Sequence, residues 1–258
     1  MSESKGKIFF SILAALLLLS GCIMLLYPSL NGLWVDYTMR RDAQEFLSYV
    51  EVKPFTPGES IPSETVPQEG AAEEAAPPTE HTRLWLDMKA YNEAIFREGQ
   101  EGLSNPTAYE ESSFYLADYG LETEVFGVLS ILRLEMEMPI YLGASKQNMA
   151  NGAAVMGQTS LPIGGSNTNC VLAGHRGWNG AAYFLYINQL EPGDTVTVTN
   201  LWETLTYEVV DTQIISPNDV DAIHIQPNRE LLTLLTCHPP ASGGKQRYLV
   251  FCERVQEN

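Results

Sequence analysis

A chain of 258 residues with a formal net charge of −17 has room for one domain of ordinary size plus appendages, and it lacks the basic footprint that nucleic-acid binding requires. Its four cysteines, Cys22, Cys170, Cys237 and Cys252, show no metal-ligand spacing such as C-x-x-C, so no metal and no other cofactor is expected.

Residues 1–7 are polar, with Lys5 and Lys7, and read as a cytoplasmic tail. Residues 8–27 carry no charge and are long enough to cross a bilayer as a helix, with the lysines on the cytoplasmic side. Two rival readings exist. Leu19-Ser20-Gly21-Cys22 fits a lipobox, which would acylate Cys22, but Ile23 to Leu26 stays apolar where a mature lipoprotein turns polar. A cleaved secretory signal is the other, and the apolar run is long for one. We take the uncleaved, single-pass anchor; all three readings put the chain beyond Pro28 outside the cytoplasm.

Residues 28–125 read as an extracellular helical region. Leu33, Trp34, Tyr37, Phe46, Leu47 and Val50 recur at loose helical spacing. Residues 53–80 are Pro, Glu, Ala, Ser and Thr with scarcely an aromatic, too poor in apolar surface to offset ordering entropy, and are expected to be a disordered linker. Thr82 to Arg97 returns to helix, with Leu84, Trp85, Met88, Tyr91, Asn92 and Ile95 on one face, and Ser104-Asn105-Pro106 breaks the pattern.

From residue 126 to 258 short strands dominate. Val128–Leu134, Pro139–Leu142, Asn169–Ala173, Thr195–Thr199 and Leu205–Ile215 read as strands, and Ala181 to Leu190 as a short helix closed by Pro192-Gly193. The two strands from Thr195 and Leu205 are joined as a hairpin by Leu201–Thr204, and many short strands with few helices indicate an all-β barrel or sandwich. The last apolar pair, Leu231–Thr236 and Arg247–Cys252, flanks a Pro/Gly loop, so a hairpin there carries Cys237 and Arg247 to one sheet end. A fixed cation beside a thiol favours the thiolate. The Asn169 strand ends in His175. Three strand ends presenting Cys, His and Arg suit a cysteine transpeptidase or hydrolase. His224 between two isoleucines reads as a strand-face residue, and His238 points away from its neighbour Cys237.

Thr-Leu-Leu-Thr-Cys at 233–237, Arg247 at the expected distance, and the stretch from Gly152 to Gly177 with Gly-Gln-Thr-Ser-Leu-Pro-Ile-Gly-Gly and Ala-Gly-His-Arg-Gly resemble the sortases, the class C (pilin-polymerising) members most. The resemblance covers about residues 126–255. It implies a mainly β fold, an eight-stranded barrel with short helices, preceded by N-terminal helices and the membrane segment. It implies that Cys237 attacks the carbonyl of an LPXTG-like sorting motif to form a thioacyl intermediate, that Arg247 stabilises the oxyanion or fixes the substrate, and that His175 handles the amine proton. Thr236 is a candidate oxyanion contributor through its N–H or hydroxyl. Partners implied are pilins or sorting-motif surface proteins, with transfer to a pilin lysine; the alternatives are a cell-wall peptide amine as acceptor, plain hydrolysis, or a non-catalytic wall-associated binding module.

With the Cys237 strand between theirs, as in sortases, Cys170 and Cys252 stand two strand spacings apart, roughly 9–10 Å, beyond disulfide reach. Both are expected to be buried free thiols. Class C enzymes carry a lid with Asp-Pro-aromatic; here only Asn105-Pro106-Thr107 occupies that place, without the acid or the ring. The expectation is therefore an accessible Cys237, with residues 103–119 mobile or folded aside.

Overall fold

Helix α1 (Ser2–Val52) continues through the apolar run and on past Pro28 without a break. The computed structural model describes residues 2–52 and 79–255, so the linker expected over 53–80 lies outside the described residues except for its last two. The change from membrane segment to loosely periodic stretch is thus a change of face along one helix, not an interruption. Beyond Pro28, Met39, Ala43 and Phe46 recur at intervals of four and three and are buried against the strands of the barrel.

Helix α2 (Glu80–Arg97) is capped by Thr79, whose hydroxyl accepts from the Thr82 N–H at 3.2 Å. Leu84, Met88, Asn92 and Ile95 form its buried face. Asn92 is the polar member. Its side chain donates to the Leu161 carbonyl at 3.2 Å and accepts from the Leu161 N–H at 2.7 Å, which ties the helix to the stretch from Gly157 to Gly165.

The strands, with one short helix among them, are β1 (Val125–Ile131), β2 (Met136–Leu142), α3 (Lys146–Asn151), β3 (Ala153–Val155), β4 (Thr168–Ala173), β5 (Arg176–Trp178), β6 (Ala181–Tyr183), β7 (Thr195–Thr199), β8 (Thr204–Ile215), β9 (Glu230–His238) and β10 (Gln246–Arg254). Eight of them close a barrel in the order β1-β2-β3-β4-β9-β10-β8-β7, and β5 and β6 form a separate hairpin. This is the eight-stranded, mainly β architecture that the resemblance implies.

Ala181–Leu190 is not the expected helix. It supplies β6 and then a single 3₁₀ turn at Ile187–Gln189. Trp178 pairs with Ala181, leaving Asn179-Gly180 as a two-residue turn with φ of 49° and 88°. Asn-Gly with both φ positive is the turn whose twist matches a hairpin, and it overrides the helical tendency of the alanines after it. Asp221–Ile223 is likewise a 3₁₀ turn, with His224 at its end and not on a strand.

Alternation sorts β4, β9 and β10 onto two faces. Cys170, Leu172, Leu232, Leu234, Val250 and Cys252 join the main core with the helices. Val171, Ala173, Leu235, Leu249 and Phe251 join a second apolar cluster with Leu103, Met156, Ile215 and Ile223. Cys170 and Cys252 each pair with Leu232 from opposite sides, so a whole strand separates them; both are free and buried.

The parallel register of β4 on β9 is locked by a buried polar chain. Thr233 donates to the Asn169 side chain at 2.8 Å, Asn169 donates to the Ile223 carbonyl at 3.0 Å, and the Asn169 N–H reaches Ser160 Oγ at 3.0 Å. All three side chains are fully buried, so a shift of either strand would strand polar groups at about 1–3 kcal/mol each.

Candidate active site

Cys237 and Arg247 are direct cross-strand partners on β9 and β10. The loop between them returns through Gly244, whose φ of +79° only glycine adopts without strain. A Cβ built there would lie 3.4 Å from Cys237 Sγ and 3.1 Å from Arg247 Nη1, so thiol and guanidinium converge on one backbone position. Arg247 Nη1 donates to the carbonyls of Gly244 at 2.8 Å and Gln246 at 3.2 Å. The competing arginines are committed elsewhere. Arg229 forms a two-pronged pair with Glu253 (2.6 and 3.0 Å), and Arg254 lies 3.7 Å from Glu230. Among the described residues no such ion pair forms on Arg247, which leaves its remaining donors for another oxygen.

His175 reaches the same end of the sheet from β4. Ala173 pairs with Leu235, the Gly174 N–H donates to the Leu235 carbonyl at 3.0 Å, and Thr236 Oγ1 donates to the Gly174 carbonyl at 2.7 Å. His175 and Cys237 each stand one residue beyond these bonds, on adjacent strands. Thr236 is fully buried, and its hydroxyl is the clamp that joins the two strand ends. That corrects one of the two roles expected for it, since the hydroxyl is committed to the Gly174 carbonyl.

The imidazole of His175 is held by two rings, one of which, Trp178, reads from the sequence as a packing residue. Trp178 stacks on it at 4.9 Å between centroids, and Tyr183 meets it edge-on at 5.5 Å. Tyr183 is buried, donates its hydroxyl to the Ala150 carbonyl at 2.7 Å, and adopts φ of +44°, a conformation that costs a bulky residue energy and that the packing enforces. Burial lowers the His175 pKa and favours the neutral ring, and burial pushes the Tyr183 phenol up to about 12. The Asn-Gly turn was the available signal for this hairpin. His238 lies 3.5 Å from Arg176, which covers the Tyr248 ring at 5.1 Å and donates to Asn188 at 2.8 Å; this holds it away from the groove that Cys237 opens onto.

That groove, of about 290 Å³, runs from Cys237 and Arg247 along Leu235, Ile215, Val220 and Met149. Tyr109 and Glu110 also line it. The segment expected to be mobile or folded aside is instead docked along it. Leu103 is completely buried, and the Tyr109 carbonyl accepts from Ala144 at 2.9 Å and Gly157 at 3.1 Å. The Tyr109 hydroxyl donates to the Leu103 carbonyl. Asn105 and Thr107 serve a different purpose. The Asn105 side chain accepts from the Thr107 N–H and hydroxyl at 3.2 and 2.8 Å, a local turn, and neither residue lines the groove. Residues 105–107 shape the segment; Tyr109 presents it to Cys237.

Known proteins resemble this chain in sequence and fold. The family described as "Sortase domain" matches residues 129–255. Sortase D of Bacillus subtilis is 30% identical over 131 residues, covering 50% of this chain and 63% of that protein, so the chain spans less than two thirds of this relative's length. Among solved structures, sortase C-1 from Actinomyces oris superposes with a TM-score of 0.57 at 29% identity, covering 68% of this chain and 99% of that one. Sortase C2 of Pilus Island 1 from Group B Streptococcus gives 0.53 at 30% identity, covering 66% and 98%. A closed eight-stranded barrel pairs cysteine and arginine across β9 and β10 and sets histidine just past β4, and on this likeness of sequence and fold the chain belongs to the sortase family.

Proposed function

We propose that this chain is a membrane-anchored cysteine transpeptidase, and the observation that carries the reading is the convergence of Cys237 and Arg247 on Gly244 with His175 on the adjoining strand end. The apolar helix α1 is long enough to cross a bilayer, which supports a single-pass anchor at the cell membrane with the barrel outside. The Cys237 thiolate attacks the carbonyl of a sorting-motif peptide, and Arg247 donates to the oxyanion that develops. His175 has taken up the proton of the Cys237 thiol; it gives that proton to the departing amine, and the acyl carbon is left on Cys237 as a thioester. An incoming amine then loses its proton to His175 and takes the acyl group. The groove beyond Cys237 is apolar along Leu235, Ile215 and Val220, which suits an extended peptide with an aliphatic side chain.

Likeness to a sortase of a pilus island supports a pilin lysine as acceptor. The test is mass spectrometry of the enzyme trapped with an LPXTG-type donor, followed by competition between a lysine-bearing pilin peptide and a cell-wall peptide amine. Acyl-enzyme at Cys237 resolved by lysine supports the reading. Preferential use of the wall peptide moves the protein to surface-protein anchoring, release of free acid makes it a protease, and absence of any adduct makes the barrel a binding module.

A further inference from the structure

The uncharged run does not stop at Tyr27. From Ile8 to Val35 there is no Asp, Glu, Lys or Arg, and Asp36 is the first charge after Lys7. At about 1.5 Å per residue a helix of this run is about 42 Å long, the thickness of a bilayer including its headgroup regions. Centring it places Gly32 about 16 Å from the midplane, at the border between hydrocarbon and headgroups. That level on α1 is where the active-site hairpin is seated. Asn31 donates its side-chain amide to the Asn179 carbonyl at 2.8 Å. A Cβ on Gly32 would run into the carbonyl of Gly180, and a Cβ on Gly180 into that of Pro28. Helix and hairpin are thus in backbone contact at a fixed height.

The opposite face of the same helical turns is bare. Leu30, Leu33, Trp34 and Tyr37, spaced i, i+3, i+4 and i+7, are 62%, 68%, 64% and 59% exposed. The sequence puts a tryptophan and a tyrosine where an amphipathic ring has both an apolar and a wet environment. On the hairpin, Trp178 is 42% exposed, next to the residue that touches α1. We propose that Leu30, Leu33, Trp34 and Tyr37 of α1 and Trp178 of the β5–β6 hairpin lie at one level and rest together in the headgroup region of the bilayer crossed by α1. The occupant is lipid because the stripe continues the apolar helix that enters the membrane. It is recognised by apolar and aromatic contact, since a chain of net charge −17 gains nothing electrostatically from an anionic surface. The hairpin that begins just after His175 is then held on one side by α1 and below by lipid, so the active-site end of the barrel faces the membrane. This rests on the anchored reading above.

The test uses the full chain reconstituted in phosphatidylcholine vesicles containing lipids brominated near the headgroup or near the chain ends. Comparison with Trp34→Phe and Trp178→Phe isolates the two reporters, and Trp85 and Trp202 supply the background. The expected result is that both Trp34 and Trp178 are quenched, more by shallow bromine than by deep, and equally in low and high salt. Gly180→Leu, which pushes the hairpin off α1, should weaken quenching of Trp178 and leave that of Trp34 in place. Quenching of Trp34 without Trp178 would overturn the inference while leaving the anchor intact. Quenching of neither would overturn both. Shielding of Trp178 that deepens as protein is added at fixed lipid would give the surface to a second copy and overturn the lipid assignment.

Discussion

Cys237 and Arg247 pair across β9 and β10, and both side chains come up to the same glycine, Gly244. The guanidinium is fixed there by the Gly244 carbonyl itself, 2.8 Å from Nη1, so the residue that brings the two groups together also orients one of them. Gly244→Ala should therefore act twice. At φ of +79° an alanine costs about 1–2 kcal/mol. Its methyl group would also press on Nη1 and come into contact with Sγ. Turnover is expected to fall about tenfold or more, equivalent to ~1.4 kcal/mol of lost transition-state stabilisation. A Gly244→Ala protein with undiminished kcat/KM would mean that this convergence is not the working arrangement.

The three barrel cysteines should separate cleanly by chemistry. Burial pushes the Cys170 and Cys252 thiols far up, whereas Cys237 is only half-buried. A thiol reagent should modify Cys237 in the folded protein and reach the other two only in denaturant. Cys237→Ala should abolish transfer, and Cys170→Ala and Cys252→Ala should retain it. Transfer retained in the Cys237→Ala protein, with the fold intact by circular dichroism, would displace Cys237 from its proposed role.

Much of this is legible in the sequence because it depends on local pattern. Period-two alternation marks β7 and β8, and the Thr-Leu-Leu-Thr-Cys motif marks the end of β9. What is not legible depends on contacts between distant segments. The hydroxyl of Thr236 is a plausible oxyanion donor by position alone; in the fold it is spent on Gly174, a partner that exists only once β4 lies parallel to β9. Tyr109 carries no mark at all, since its place in the groove depends on carbonyl bonds to Ala144 and Gly157. A helix from Ala181 is a reading of composition, and the Asn179-Gly180 turn just before it is the stronger signal.

Arg247→Lys keeps the charge and loses the planar fork. Arginine holds two carbonyls and still has donors for an oxyanion; an ammonium offers three on one atom and cannot span the same positions. Turnover should drop by roughly a hundredfold, the scale of one missing oxyanion donor. A loss of thermal stability with turnover intact would identify Arg247 as a structural tie for the β9–β10 loop.

The His175 ring supplies a pH prediction with a definite sign. Burial lowers its folded pKa below the ordinary 6.5, so between the two values the unfolded chain binds more protons. The contribution is complete above 6.5 and is lost as the pH falls through the folded pKa. Trp178→Ala removes the stacked ring, rehydrates the imidazole and should raise its pKa toward 6.5, moving the His175 limb of the pH–rate profile upward. Proton NMR of the His175 ring measures this directly. An unchanged or lowered value would show that Trp178 does not shield it.

In the segment before the barrel, access to the thiol turns on which residue faces it. Asn105 and Thr107 satisfy each other, so Asn105→Ala should leave the rate of Cys237 modification unchanged. Tyr109 is different: it is one of the residues that line the groove with Cys237 and Arg247, while its backbone is pinned independently by Ala144 and Gly157. Tyr109→Ala should keep the segment docked and empty the groove of a ring, so a bulky thiol reagent should react faster with Cys237. Tyr109→Phe separates two contributions, since it keeps the ring and loses only the bond to the Leu103 carbonyl, a net contribution of about 0.5–1.5 kcal/mol. If the ring itself blocks the groove, the phenylalanine variant should stay close to the wild type. If the hydroxyl bond holds the segment down, phenylalanine should accelerate modification as much as alanine. Equal rates in all three proteins would mean that access to Cys237 is not governed from this side, and residues 101–119 would then serve only to cover the second apolar cluster around Leu103.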